Sequence, residues 1–190
     1  VLNPLKCENG VYQMDMEAFR EQVKGCKLFI LCNPHNPGGI VWKEEELREI
    51  AEICYDDGVL VFSDEIHADL TLPPHKHRPF ATISEKAKMN SVTFMSPSKA
   101  FNMPGMTASH AIIYNPELRH QLREFIEACE LDLGHAFAFL SVEAAYSHGT
   151  EWLDQCLTYI QGNIDYVDAF LKEHAPKIKA IRPQASYLIW

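Results

Sequence analysis

Basic residues are scarce in this 190-residue sequence, and its lysines and arginines form no local cluster. The chain has 17 basic and 26 acidic side chains, a formal net charge of −9 and a sequence pI near 5.4. Proteins that bind nucleic acids or anionic membranes usually carry a positive patch. We therefore expect neither nucleic acid nor a membrane surface as a partner.

Long apolar runs are also absent. A membrane-spanning helix needs about 20 consecutive apolar residues, and every apolar run here is much shorter. Residues 1–4 lack the charged start and apolar stretch of a signal peptide. The sequence predicts a cytoplasmic chain that neither enters nor crosses a membrane, and its start without methionine predicts a processed or excerpted chain.

The six cysteines include no CxxC pair. Zinc sites and redox dithiols generally need such close spacing, and Cys32 and Cys54 lie inside apolar, periodic segments. We expect all six to be reduced core residues in a cytosol, and we expect no metal site. The six are Cys7, Cys26, Cys32, Cys54, Cys129 and Cys156.

Strand and helix patterns alternate through the first two thirds of the chain. A helix is predicted over Trp42–Asp57, where apolar residues recur with helical spacing and Gly58 follows as its cap. Apolar runs joined by crossovers of helix length are typical of a parallel sheet between helices. The predicted class is therefore α/β, with a mainly parallel sheet sandwiched by helices. The predicted strands are Lys27–Cys32, Val59–Phe62, Ser91–Met95 and Ala111–Tyr114.

After Asn115 and Pro116 the pattern becomes helical. Predicted helices cover Leu118–Cys129, Phe137–Tyr146 and Trp152–Leu171, and the sequence closes on a strand-like run, Ser186–Trp190. A terminal strand needs a neighbouring strand. We therefore expect that part of the domain is missing from this sequence.

Each of the first three predicted strands runs into a motif rich in polar groups. The motifs are NPHNPGG at 33–39, SDEIHADL at 63–70 and SPSKAFNMPG at 96–105. In open parallel sheets, ligands bind outside the carboxyl ends of the strands. We expect an amide, a carboxylate, an imidazole, two hydroxyls and an amine to meet there. This set suits a phosphorylated, heterocyclic carbonyl cofactor better than a metal ion.

In this order and at these separations, the three motifs resemble the large domain of fold type I pyridoxal-phosphate enzymes of the class I/II aminotransferase group. SDEIHADL and SPSKAFN are similar to the branch that holds cystathionine β-lyases and other carbon–sulfur lyases. The resemblance implies pyridoxal 5'-phosphate as cofactor, a homodimer and an incomplete large domain. It divides the chain into most of the cofactor-binding domain at 1–160, and an interdomain helix with the first strand of a truncated small domain at 161–190.

The resemblance assigns roles to three residues. Lys99 would form the Schiff base with the cofactor aldehyde and then carry the substrate Cα proton, tasks that suit a primary amine on a flexible stem. Asp64 matches the aspartate that pairs with the pyridine nitrogen in the family. Asn36 matches the asparagine that donates to the ring 3-oxygen. The structural alternatives are a solvated lysine, a helix N-cap at Asp64, and a plain Asn-Pro-Gly turn.

Ser96 and Ser98 match hydroxyls that bind the cofactor phosphate. Many relatives have an arginine about eight residues after the lysine, where this sequence has Thr107. The phosphate charge is then met by backbone amides, by hydroxyls or by residues outside this chain. The first phosphate-cup loop, the tyrosine that stacks on the ring and the arginine for the substrate carboxylate have no match here.

Three histidines have open assignments. His67 stands where many aminotransferases have tyrosine, and it is either a contact of the cofactor ring or a buried structural histidine. His75 and His77 invite a metal interpretation. A solvated, proline-rich loop over 72–79 is the favoured interpretation for both.

The resemblance implies a carbon–sulfur β-lyase acting on cystathionine-like or cysteine-like amino acids and yielding pyruvate, ammonia and a thiol. An aminotransferase, which needs the same residues, is the alternative enzyme. A regulatory, protein-binding role and an inert fragment are the alternatives outside catalysis. We expect the 190-residue chain alone to bind the cofactor weakly and to be inactive.

Overall fold

The computed structural model of the chain describes residues 1–8, 10–132 and 134–190. Single 3-10 turns occupy Ala68–Leu70, Phe80–Thr82 and Pro104–Met106. The strands are β1 (Lys6–Glu8), β2 (Val11–Gln13), β3 (Leu28–Cys32), β4 (Leu60–Asp64), β5 (Ser91–Met95) and β6 (His110–Ile112). The α-helices are α1 (Met16–Gln22), α2 (Glu44–Asp56), α3 (Glu85–Met89), α4 (Pro97–Ala100), α5 (Pro116–Ala128), α6 (Ala136–His148) and α7 (Thr150–His174).

The main sheet has the order β3-β4-β5-β6. Strands β3, β4 and β5 are parallel, whereas β6 runs antiparallel to β5. The predicted α/β class with a mainly parallel sheet is confirmed. Cys32 is the register partner of Asp64, and Asp64 that of Phe94. The carboxyl ends of the three parallel strands therefore lie side by side at one edge.

Helix α2 covers one face of this sheet. Its apolar residues Leu47 and Ile50 are fully buried and join a core that includes Leu31 and Val61 of the sheet. Burying each such side chain contributes roughly 1.5–3 kcal/mol. Gly58 follows the helix with φ +65°, a conformation that glycine adopts without steric cost. Helix α2, which connects β3 to β4, therefore packs closely against the two strands that lead into the first two motifs.

Part of the apolar surface is exposed in this chain. Ile30 on the edge strand β3 is 67% exposed, so the expected cover on both faces does not extend to this strand. Helix α6 is apolar on most sides, and its Phe137, Phe139 and Leu140 are all largely exposed. None of the described helices combines the length and apolar character that crossing a membrane requires.

The predicted strand Ser186–Trp190 is wrong. These residues form no strand, and the nearest pairing is an isolated antiparallel bridge between Ala185 and Thr71. Ser186 has φ +74°, which interrupts the extended conformation that its apolar neighbours favour. The segment is held instead to the loop after β4, where Ser186 N donates to Leu70 O at 3.0 Å.

All six cysteines are free thiols, but they are not all core residues. Cys54 is buried in α2, whereas Cys7 in β1 and Cys129 at the end of α5 are exposed. The prediction of six core cysteines is wrong for these two. All three residues of β1 are exposed and α5 contains no buried residue, so a small apolar side chain there stays in contact with water.

Candidate functional site

Asp64 is the last residue of β4, and its main chain is fixed on both sides. Its carbonyl accepts from Asn33 N at 2.9 Å, and the next amide, Glu65 N, donates to Phe94 O at 2.8 Å. The Asp64 carboxylate accepts from Ile66 N at 3.3 Å. It closes a local turn and caps no helix, so its N-cap alternative is wrong. The half-buried carboxylate lies at the carboxyl edge of the sheet.

The motif after β3 forms a compact turn. His35 N donates to Ile40 O at 2.8 Å and closes it. Inside the turn, Asn36 N donates to Cys32 Sγ at 3.3 Å. Because Cys32 is the register partner of Asp64, this bond brings Asn36 beside the end of β4. The side-chain Oδ1 of Asn36 is buried and has no hydrogen-bond partner among the described residues.

Lys99 lies in α4, the single helical turn that follows β5. Ser96 caps this turn by accepting from Ser98 N at 3.2 Å. Its hydroxyl lies 2.6 Å from Ala108 O and 2.8 Å from the Ser98 hydroxyl. Ser96 has one hydroxyl proton and donates it to Ala108 O. The Ser98 hydroxyl is therefore the donor in its hydrogen bond with the Ser96 hydroxyl. A phosphate contact therefore requires the Ser98 hydroxyl to turn away from Ser96.

His67 links the second and third motifs. Its side chain is almost fully buried, and its Nδ1 has no partner among the described residues. Burial lowers the pKa of His67, the nearby charge of Lys99 lowers it further, and the charge of Asp64 opposes both effects. The imidazole is therefore neutral near pH 7. Its ring centroid lies 6.0 Å from that of Tyr187.

The structure also adds a segment that the sequence patterns did not connect with the site. Gln184 N donates to Gly39 O at 2.7 Å, and Gln184 Oε1 accepts from Val41 N at 2.9 Å. Gly39 has φ +63°, and a Cβ there would come within 2.6 Å of Pro183 Cβ. Only glycine permits this approach. Residues 183–187 therefore lie directly against the first two motifs, about 145 residues away in sequence from the first.

The solvated state expected for His77 is wrong. Its side chain is 10% exposed, and its Nε2 lies 2.7 Å from Oε2 of the buried Glu65. His75, two residues earlier in the same loop, is exposed as expected. The loop turns inward after Lys76 because the buried carboxylate of Glu65 needs hydrogen-bond donors. Glu65 is inside the SDEIHADL motif, and this buried pairing is a feature that the sequence patterns did not reveal.

Among the described residues, no group of three or more His, Cys, Asp or Glu is arranged to hold a metal ion. The side chains at the sheet edge fit a different ligand. The Asp64 carboxylate can pair with a protonated ring nitrogen, and the Asn36 amide can donate to a phenolic oxygen. The Lys99 amine can react with an aldehyde. The Oδ1 of Asn36 and the Nδ1 of His67 are buried without a partner among the described residues, which is costly unless a ligand pairs with them; the Asn36 amide would turn its N–H₂ toward a phenolic oxygen. These residues fit pyridoxal phosphate.

Comparison with known proteins agrees with this geometry. Residues 4–190 match the family model described as aminotransferase class I and II. The chain is 45% identical to cystathionine beta-lyase PatB of Bacillus subtilis, over 99% of this chain and 49% of that protein.

Two solved structures show the same likeness in three dimensions. Cystalysin of Treponema denticola, which contains a pyridoxal 5'-phosphate cofactor, superposes with a TM-score of 0.93 at 33% identity, over 100% of this chain and 49% of that one. The pyridoxal-phosphate-bound C-S lyase of Staphylococcus hominis superposes with a TM-score of 0.92 at 34% identity, over 100% of this chain and 48% of that one. The chain thus spans about half the length of these relatives. It belongs to the class I and II aminotransferase family.

Proposed function

We propose that the protein containing this chain is a pyridoxal-phosphate-dependent carbon–sulfur β-lyase. Its substrates are cystathionine-like or cysteine-like amino acids, and its products are pyruvate, ammonia and a thiol. The observation that carries the proposal is that Asp64 ends β4 and Lys99 follows the neighbouring parallel strand β5, so both lie at one sheet edge, in a chain similar to the lyases named above.

Each residue has a distinct task in this proposal. Bound pyridoxal phosphate supplies an electron sink conjugated to the substrate Cα. Lys99 Nζ would hold the cofactor through its aldehyde carbon and would carry the proton taken from the substrate Cα. The Asp64 carboxylate would keep a proton on the ring nitrogen, because an ion pair near 4 Å at an effective dielectric of 20 is in general worth roughly 4 kcal/mol.

The other candidate residues position the ring and the phosphate. The Asn36 amide would donate to the ring 3-oxygen. The neutral imidazole of His67, whose pKa responds to the charges of Asp64 and Lys99, would offer a further contact to the ring. The Ser98 hydroxyl would donate to the phosphate once it releases its bond to Ser96, and the Ser96 hydroxyl would do so by giving up its bond to Ala108 O. Thr107 is uncharged and cannot neutralise the phosphate as an arginine would. Groups elsewhere in the protein would therefore neutralise the remaining negative charge.

Three further proposals concern the whole protein. We propose that it works as a homodimer in the cytoplasm, and six free thiols support a reducing compartment. We propose that residues 1–160 form most of the cofactor-binding domain. Residues 161–190 would then lead into a second domain through α7, which continues unbroken across residue 160.

The test is an activity assay on the full-length protein. Wild-type protein incubated with cystathionine and pyridoxal phosphate is expected to release pyruvate and ammonia. Lys99→Ala should abolish the release by removing the amine that moves the proton. The matched control is Lys76→Ala, which removes an exposed lysine from the loop over 72–79. Pyruvate release at a normal rate by Lys99→Ala would refute the proposal.

The same assay separates the lyase from the aminotransferase. An aminotransferase would pass the amino group to an added 2-oxo acid and release no ammonia. The 190-residue chain, assayed beside the full-length protein, is expected to bind the cofactor more weakly and to release no pyruvate. Micromolar binding together with pyruvate release by the short chain would contradict that expectation.

A further inference from the structure

The polar residues at the end of β4 alternate between two faces. Successive side chains of a strand point to opposite sides, and Ser63 and Glu65 are both fully buried, whereas Asp64 between them is only half-buried. Ser63 and Glu65 thus share the inner face and Asp64 has the opposite one. Any rotation of the strand end that moves Glu65 also moves Asp64.

The buried carboxylate of Glu65 has a complete set of partners. Its Oε1 accepts from the Ser63 hydroxyl at 2.8 Å and from Phe80 N at 2.9 Å. Its Oε2 lies 2.7 Å from His77 Nε2. With Glu65 ionised, Nε2–H of His77 is the donor in that contact. The Nδ1 of His77 has no partner among the described residues, so only one edge of this imidazole is used.

A second bond fastens the same loop to the neighbouring strand. Asn33, directly after β3, donates from Nδ2 to Arg78 O at 3.1 Å. The segment 77–80 is therefore bonded to the ends of both β3 and β4. These are the strands that lead to Asn36 and Asp64.

Loss of the His77 bond would leave a buried carboxylate with an unpaired oxygen. A buried carboxylate that loses a partner moves toward water or takes up a proton. A rotation of the strand end that brings Glu65 to water turns Asp64 out of line, because the two residues are adjacent on the strand. Catalytic groups need placement within about 0.5 Å, which supporting hydrogen bonds provide.

We propose that Glu65 and His77 are positioning residues for Asp64: their buried contact holds the end of β4 so that the Asp64 carboxylate faces the cofactor ring. This inference rests on the proposed function in one respect, the contact of Asp64 with pyridoxal phosphate. The imidazole of His77 takes no part in the chemistry.

Two amide substitutions test which edge of His77 matters. In the full-length protein, His77→Gln can place an amide N–H where Nε2 was, whereas the shorter side chain in His77→Asn cannot reach Glu65. The matched control is His75→Asn, at an exposed position of the same loop. The readouts are the dissociation constant of pyridoxal phosphate, the absorption maximum of the bound cofactor, and thermal unfolding of the cofactor-free protein.

We expect His77→Asn to weaken cofactor binding about tenfold, the effect of one lost hydrogen bond of this kind, and to shift the absorption maximum. His77→Gln and His75→Asn should both stay within about twofold of wild type. In an Asp64→Asn background the effect of His77→Asn should largely disappear, because residues acting through one another are not additive.

Two results would overturn the proposal. One is a His77→Asn protein with lowered thermal stability but unchanged cofactor affinity and spectrum, which would make the pair structural only. The other is an effect of His77→Asn that persists in full beside Asp64→Asn. A wild-type protein that binds pyridoxal phosphate but forms no pyruvate would refute the proposed lyase, while the binding titrations would still decide the role of His77.

Discussion

Gly39 offers a quantitative test of the contact between the first motif and residues 183–187. Gly39 and Gly58 both have positive φ, +63° and +65°. A Cβ at Gly58 would meet no atom within 4 Å, whereas a Cβ at Gly39 would lie 2.6 Å from Pro183 Cβ and 2.8 Å from Pro183 Cα. The two Gly→Ala substitutions therefore share the backbone strain, and only Gly39→Ala adds a steric clash.

The two costs can be estimated separately. Alanine in the left-handed region costs about 1–2 kcal/mol, which is the whole effect expected for Gly58→Ala. Overpacking adds about 1–3 kcal/mol, so Gly39→Ala should lose about 2–5 kcal/mol of the free energy of unfolding. In a chain of this size, each kcal/mol lowers Tm by about 2–4 °C. The proline ring and backbone that the new methyl meets have little freedom to move.

The assay is thermal unfolding of both variants, followed by circular dichroism, together with cofactor titration. Gly39→Ala should have the lower Tm and the weaker cofactor binding, because the clash separates residues 183–187 from the turn that holds Asn36. Gly58→Ala should bind the cofactor like wild type. The reasoning is refuted if Gly39→Ala is as stable as Gly58→Ala.

Three further predictions concern the site and the thiols. Asp64→Asn in the full-length protein should keep its fold but lower the rate of pyruvate release by about 10²–10³-fold, since roughly 4 kcal/mol of charge interaction is lost; a near-normal rate would show that another group serves the ring nitrogen. The lowered pKa of His67 means that below about pH 6.5 the unfolded chain binds more protons than the folded one, so stability falls as the pH drops. Urea unfolding between pH 5 and 7.5 should show a shallower loss for His67→Gln, by up to about 1.4 kcal/mol per pH unit, and an identical slope would contradict the assignment. Burial raises the pKa of Cys54 to about 12, so timed alkylation with mass spectrometry should label the exposed Cys7 and Cys129 first and Cys54 last, and early labelling of Cys54 would count against its buried position.

Local sequence patterns were sufficient for most of the regular elements. The strand Ser91–Met95 was predicted at its observed bounds, because a short apolar run between polar turns has few other stable conformations. The helix after Asn115 was predicted from its cap, and Asn115 Oδ1 does accept from Glu117 N at 3.0 Å. In both cases the information lies within a few residues of the element.

Other elements lacked such a local signal. The hairpin of β1 and β2 has only three residues in each strand, and its residues are mostly exposed, so its alternation is too short to detect. The direction of β6 was not predicted either. It runs antiparallel because the chain turns back through the 3-10 turn Pro104–Met106 and through Thr107, whose φ is +46°.

The sequence by itself determined which chemical groups follow the three parallel strands. Asn36, Asp64 and Lys99 come directly after apolar runs, and the order of those runs in a parallel sheet brings their carboxyl ends to one edge. Such an inference needs only strand direction and adjacency. The assignment of these residues to the cofactor is the part that the proposed experiments decide.

Only the tertiary structure decided which residues support that edge. His77 was expected in water and is instead against Glu65, and Gln184 bonds to Gly39 from the far end of the chain. Neither contact produces a periodic pattern in the sequence. The path of a loop depends instead on which buried polar groups need hydrogen-bond partners. Local propensity acts within a few residues, whereas the burial of Glu65 and the approach of Pro183 to Gly39 exist only when distant segments pack together.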